Sequence, residues 1–174
     1  MKLLFFTIFI NLVCGYYSVI QSDSYINYFG SHPMHAFSGS SSSIMLLSDC
    51  NKANDVCDLI FKVPIISLNS GNDNRYSNML SYLSAFSYPE IILSIQNFTI
   101  KEYNEDFISC ELSIGGVGQQ IEIPLSLHSP SKDQYKAYSF FTISLDEFNI
   151  DIPKLLFLPI HDEIKVEVDI LIES

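Results

Sequence analysis

Through most of this chain, apolar side chains take every second position and polar or charged ones fill the places between. Cys57, Leu59, Phe61, Val63 and Ile65 alternate with Asp58, Lys62 and Pro64, and Ile108, Cys110, Leu112 and Ile114 with Ser109, Glu111 and Ser113. Ile121, Ile123, Leu125 and Leu127 alternate with Gln120, Glu122, Ser126 and His128. Ala137, Ser139, Phe141, Ile143 and Leu145 alternate with Lys136, Thr142, Ser144 and Asp146, and Ile164, Val166, Val168, Ile170 and Ile172 with charges. A period of two sends successive side chains to opposite faces of a strand, so each run is a strand with one face to bury.

Shorter signals complete the count. Tyr25 to Phe29 is a short strand, and His32 to Leu47 a long one interrupted by Gly39 and the serines Ser40 to Ser43. Apolar residues continue on both sides of those serines, which fits a solvated bend in a strand rather than a tether. Ile91, Leu93 and Ile95 hold one face until the phase jumps to Phe98 and Ile100, which implies a bulge near Gln96 and Asn97. Pro64 implies an edge or a bulge in its own strand. Gly115, Gly116 and Gly118 form one hairpin turn and Ser129 to Asp133 another. The total is about eight strands. A single antiparallel sheet of this length buries its apolar face by curling, so the expected fold is all-β with one short helix, an extended antiparallel eight-stranded, lipocalin-like barrel. Such an interior is either filled by side chains or holds one small or elongated ligand, and alternation alone does not choose between them.

The helix comes from a break in the pattern. Ser67 to Asn74 gathers Ser, Asn, Gly and Asp, which stop an extended run. From Asn74, Tyr76, Met79, Leu80, Leu83 and Phe86 recur at three- and four-residue intervals until Pro89. That is one stripe of an amphipathic helix, expected to lie as a lid on the sheet.

Lys2, the apolar run Leu3 to Val13 and small Gly15 have the form of a secretory leader, too short in its apolar part to span a bilayer. Residues 1–15 are the expected leader, with Ser18 or Ser22 as later cleavage points, and 23–174 the single barrel domain. The expected destination is the periplasm or the exterior. Lipid anchoring at Cys14 is the minority reading, because Val13 and Asn11 depart from what precedes a lipidated cysteine. No other segment is long and apolar enough to cross a membrane. With 9 Lys plus Arg against 20 Asp plus Glu, the net charge is -11 and no basic cluster relieves it, which argues against nucleic acid and against anionic membrane surfaces. The number of chains in the assembly stays open, a homodimer included.

Beyond the leader, Cys50, Cys57 and Cys110 remain. Cys50 and Cys57 flank a hairpin loop, so either a disulfide staples its base or all three cysteines are small unpaired hydrophobes. His32 and His35 lie close together without a third ligand at metal-binding spacing, and the glycines of the 115–118 turn are followed by a strand rather than a phosphate-binding helix. Cys110 lacks an electropositive setting, and no G-x-S-x-G elbow occurs. The expectation is a protein without catalytic residues, metal or cofactor. Arg75, the only arginine, either clamps a phosphate or carboxylate head group or ties the helix start to a strand through an ion pair.

Four blocks together resemble the YceI-like family of secreted lipid-binding barrels, especially the variant common in Bacteroidetes-type bacteria. His35-Ala36-Phe37-Ser38-Gly39 is similar to the family's His and Gly pattern at the second strand. Val63 to Pro89 resembles its block of V-P, S-x-x-S-G-N, N-R, a helix with Met, and Y-P. Leu112 to Val117 resembles its L-T-I-x-G-V hairpin, and Phe141 to Pro153 its closing F-x-I-x-L-x-x-F-x-I-x-x-P. The chain departs from the pattern where Tyr76 replaces an acidic residue, Gly115 a His, and Gly118-Gln119 a Thr-Lys. Those departures remove polar groups and leave the apolar lining.

The resemblance implies a barrel with a helix over it and, in its lumen, a polyisoprenoid, an isoprenoid quinone or another long-chain lipid. An apolar tube needs no catalytic geometry to hold such a chain. By strand phase and helix face the expected lining is Phe61, Leu83, Phe86, Leu112, Ile123, Leu125, Phe141, Ile143 and Val166, with His35 and Arg75 as head-group contacts. The rival expectation is a filled barrel that acts as a structural or interaction module.

Overall fold

In the computed structural model, residues 17–51, 53–155 and 157–174 are described. The expected leader, with Cys14, lies outside them. One sheet runs in the order β3 (His35–Ser41), β2 (Tyr25–His32), β13 (Glu163–Glu173), β10 (Gln134–Ser144), β9 (Ser126–Ser131), with β1 (Ser18–Val19) pairing onto the end of β13. The second is a meander of β4 (Met45–Asn51), β5 (Val56–Pro64), β6 (Glu90–Phe98), β7 (Phe107–Ile114) and β8 (Val117–Pro124). Every pairing is antiparallel. A two-stranded hairpin of β11 (Lys154–Leu155) and β12 (Leu158–Pro159) stands apart from both.

The eight expected strands are present, two of them divided. The run from His32 to Leu47 is β3 followed by β4, and the run from Ile121 to Leu127 passes from β8 into β9. At each division the chain leaves one sheet and enters the other, so the ten long strands follow one another in cyclic order while their ladder is interrupted at two corners. The serines explain the first corner. Backbone groups released from a ladder need other partners. Here the Ser43 N–H donates to Ser41 Oγ (3.1 Å), Ser41 and Ser67 share a hydroxyl hydrogen bond (2.7 Å), and the Ile44 N–H donates to Gln21 Oε1 (3.0 Å). At the second corner the Leu125 N–H donates to the Asp106 carbonyl (2.9 Å) and Ser139 Oγ to the Pro124 carbonyl (2.6 Å).

The expected bulge is at Asn97, whose φ of 53° lies in the left-handed region. Its N–H turns to Asp58 Oδ1 (2.9 Å) where the β5–β6 register shifts between Cys57 and Leu59. Pro64 marks neither an edge nor a bulge; it ends β5, an inner strand, where the ladder has no further need of its missing N–H. Cys50 and Cys57 are register partners across β4 and β5 and form a disulfide, while Cys110 is a buried free thiol.

The helix α1 (Asp73–Tyr82) starts at Asn72, whose side chain accepts the Arg75 N–H (2.9 Å). It stops sooner than the apolar stripe suggests. Ser84 takes a left-handed φ of 53°, the Ala85 N–H returns to the Leu80 carbonyl and the Ser84 N–H to that of Ser81, the paired bonds of a Schellman cap. That cap buries Ala85 and turns the next residue, Phe86, out to solvent.

Candidate functional site

The two sheets turn their apolar faces inward without filling the space between them. The buried side chains form two clusters. One includes Ile65, Leu59 and Ile100, the other Phe148, Ile114 and Ile164, and Tyr28, Leu83, Ile91, Leu93 and Phe141 pack against both while staying only partly buried. Inward-facing residues that keep exposed surface must be facing a cavity. That cavity measures about 570 Å³ and runs between the sheets, with α1 along one side.

Eight of the nine expected lining residues meet there. Phe61, Leu83, Leu125, Phe141 and Val166 line it while partly buried, so their surface faces the open space. Leu112, Ile123 and Ile143 also line it but are buried, with most of their surface in the wall. Phe86 does not belong to this set. The helix ends before the stripe reaches it, and the ring stands almost fully exposed.

The polar end of the cavity lies between α1, the turn joining β2 to β3, and the segment leading into β11. His35, Asn74, Asn78 and Lys154 line it and are exposed, which places an opening there. Arg75 lines it too and, among the described residues, makes no salt bridge. Its guanidinium donates instead to the Ser70 carbonyl (3.0 Å) and lies 5.3 Å from the centre of the Phe37 ring. The expected ion pair to a strand is therefore replaced by a backbone bond and a ring contact, which hold the cation at the opening.

Behind Arg75, one face of the β2–β3 hairpin alternates large and small residues. Phe37 lies over Gly30 and Tyr28 over Gly39, close enough that a Cβ on either glycine would collide with the ring. Burial raises the Tyr28 hydroxyl pKa, and the charge of Arg75 works against that rise. Among the described residues, the Tyr28 hydroxyl and His32 Nε2 are buried without a hydrogen-bond partner. His32 Nδ1 accepts the Met34 N–H (3.2 Å), so in the neutral ring the proton sits on Nε2. The rings of His32 and His35 are 5.3 Å apart, and among the described residues no group of three or more His, Cys, Asp or Glu could hold a metal.

Sequence reading missed Tyr28, His32 and Lys154 as lining residues. A signal for the first two exists: even-numbered positions of the strand from Tyr25 share a face, and only Gly30, which carries no apolar side chain, interrupts that face between Tyr28 and His32. Lys154 sits in a two-residue strand that has no periodicity to read. Cys110 lies in the core rather than the cavity lining, and burial pushes its thiol pKa up to about 11, so it is protonated at neutral pH.

A profile of the YceI-like domain matches residues 17–172, nine-tenths of the chain. The chain belongs to the YceI-like family. Solved structures related to it share its fold at low identity. A polyisoprenoid binding domain from Saccharophagus degradans, implicated in plant cell wall breakdown, superposes with a TM-score of 0.75 at 16% identity, covering 91% of this chain and 98% of that one. BcnA of Burkholderia cenocepacia gives 0.70 at 12%, over 88% and 98%, and the Campylobacter jejuni YCEI protein 0.59 at 17%, over 78% and 84%. No curated protein matches the chain. In this YceI-like chain the cavity is bounded by blocks that resemble the family pattern: the His35 to Gly39 strand, the Val63 to Pro89 block and the Phe141 to Pro153 segment.

Proposed function

We propose that this YceI-like chain is an exported, non-enzymatic binding protein that holds a long-chain amphiphile, a polyisoprenoid, an isoprenoid quinone or a similar lipid, for transport, storage or sequestration. The observation that carries the reading is a cavity of about 570 Å³ walled mainly by apolar side chains, with its charged residues, Arg75 and Lys154, at one end. An apolar chain gains roughly 25 cal/mol for each Å² it withdraws from water, with no shaped polar contact needed along its length. His35 and Arg75 are then the contacts of the head group at the opening. The polyisoprenoid-binding description of the Saccharophagus degradans domain supports the same ligand class. The closer likeness to the Bacteroidetes-type variant belongs to this proposal as well.

Export by cleavage after Gly15 fits the packing, because Tyr17 is buried in the core and β1 pairs with β13, so cleavage at Ser18 or Ser22 would cut into the folded part. The test is native mass spectrometry of protein purified from the exported fraction, with extraction and identification of bound lipid. A stoichiometric long-chain isoprenoid or quinone is expected. An empty protein that also refuses added isoprenoids would overturn the reading in favour of a filled interaction module.

A further inference from the structure

Exposed apolar side chains are not spread evenly over this molecule. Among the described residues, the four most exposed large ones are Phe157 (97%), Phe86 (96%), Met34 (66%) and Ile66 (66%). None lies on a strand face. Met34 is in the turn between β2 and β3, Ile66 in the single helical turn after β5, Phe86 between α1 and β6, and Phe157 in the turn between β11 and β12. All four connections are at one end of the fold. Ile114, at the end of β7, and Ile164, near the start of β13, share one core cluster, which brings that end of each sheet together. Pro64 pairs with Glu90 at the same end of the meander, and the His161 N–H donates to the Ser31 carbonyl (2.8 Å), which ties the β11–β12 hairpin to the end of β2. This is the end at which His35, Asn74, Asn78 and Lys154 surround the opening.

From this ring of apolar tips we infer that the open end docks on a lipid bilayer, with Phe86 and Phe157 as its deepest anchors. The inference rests on the carrier reading, since a cavity that loads from a membrane has reason to face one. Four tips on four separate connections, with polar mouth residues among them, do not make the continuous packed core that a protein interface requires. A fluid apolar phase accepts each tip independently, as it accepts the apolar face of an interfacial helix. Continuity with the cavity points the same way, because a long apolar chain leaving a bilayer through this end need not cross water. Charge contributes little: Arg75 and Lys154 at the opening are each preceded within three residues of the chain by an aspartate, Asp73 and Asp151, and the net charge is -11. Binding should therefore persist in salt and need no anionic lipid.

The test is flotation of the full chain with phosphatidylcholine vesicles, wild type against a double variant, Phe86→Ser with Phe157→Ser. Both rings are so exposed that the variant should melt as the wild type does. The wild type should float, and the variant's vesicle partition should fall about ten-fold or more. Uptake of a pyrene-labelled isoprenoid from vesicles should slow in step, while uptake from detergent micelles stays unchanged. A wild type that remains in the aqueous phase, or a variant that floats equally well, overturns the inference. Flotation with no isoprenoid uptake from either source overturns the carrier reading and leaves the docking face standing. A dimer that the double substitution dissociates, without vesicle binding, assigns the tips to a second copy and overturns the inference.

Discussion

Val166→Phe separates an open lumen from a packed core by the sign of its effect. Val166 lies on β13 between Tyr28 of β2 and Phe141 of β10, its register partners, and is partly buried although it faces inward. The surface it keeps therefore looks into the cavity of about 570 Å³. In a filled core the larger ring would force its neighbours aside and cost about 1–3 kcal/mol. Here it enters open space beside two aromatic partners, in a strand that Phe suits as well as Val. Each added carbon withdrawn from water returns up to about 0.8 kcal/mol, so the four by which Phe exceeds Val set a ceiling of about 3 kcal/mol. Urea denaturation of delipidated protein should show unchanged or increased stability with an unchanged m-value. Native mass spectrometry should show weaker retention of an added isoprenoid, because the ring occupies ligand space. Leu112→Ala supplies the contrast: its side chain is buried in the wall, and truncation should cost about 2–5 kcal/mol. A Val166→Phe protein destabilised by more than about 1 kcal/mol, with its m-value intact, would refute the open-lumen reasoning.

The Cys50–Cys57 disulfide closes a loop of sequence separation 7, so replacing both cysteines with Ala should lower stability by about 2 kcal/mol, read as a shift in the urea midpoint relative to the oxidised protein. Cys110 should resist alkylation in the folded state and react after unfolding, because burial holds its pKa at about 11 against 9.0 in the open chain. Between those values the unfolded chain releases a proton that the folded one keeps, so stability should fall as pH rises through the window, by up to about 3 kcal/mol, and Cys110→Ala should remove that part of the fall. Tyr28 and Tyr103, also raised by burial, add their own loss above pH 10.0 in both proteins. Gly116 has a φ of 83° and the Tyr88 ring against its α-carbon, so Gly116→Ala meets both backbone strain and a collision; a loss of about 2 kcal/mol or more is expected in thermal or urea melts.

Alternation made the strands legible because burial on one face leaves its mark at every second residue. It could not show where a strand changes sheets. Across Ser42 to Ile44 and across Pro124 and Leu125 the apolar phase continues while the hydrogen-bonding partners change, so each corner reads as a bend in one strand. Phe86 falls outside the lining for a local reason: the helix is closed by Ser84 in a left-handed conformation that glycine usually takes, and a serine carries no such signal in the sequence.

The lumen was legible only as a choice of face. Phe61 and Leu112 carry the same period-two signal, yet Phe61 borders open space while Leu112 is buried in the wall. What separates them is the distance between the sheets, and that follows from how side chains pack near the two ends. At the end that carries the opening, Phe148, Ile114, Leu145 and Ile164 belong to one buried cluster beside it, and at the opposite end Ile100, Ile108 and Ile172 belong to the other. These end clusters, with the antiparallel ladders of both sheets, hold the walls apart without help from the middle. Side chains halfway along, such as Phe141 and Leu93, are thus free to present surface to a guest rather than to one another. Substitutions in the end clusters should therefore register chiefly as stability, and substitutions in the middle chiefly as ligand retention.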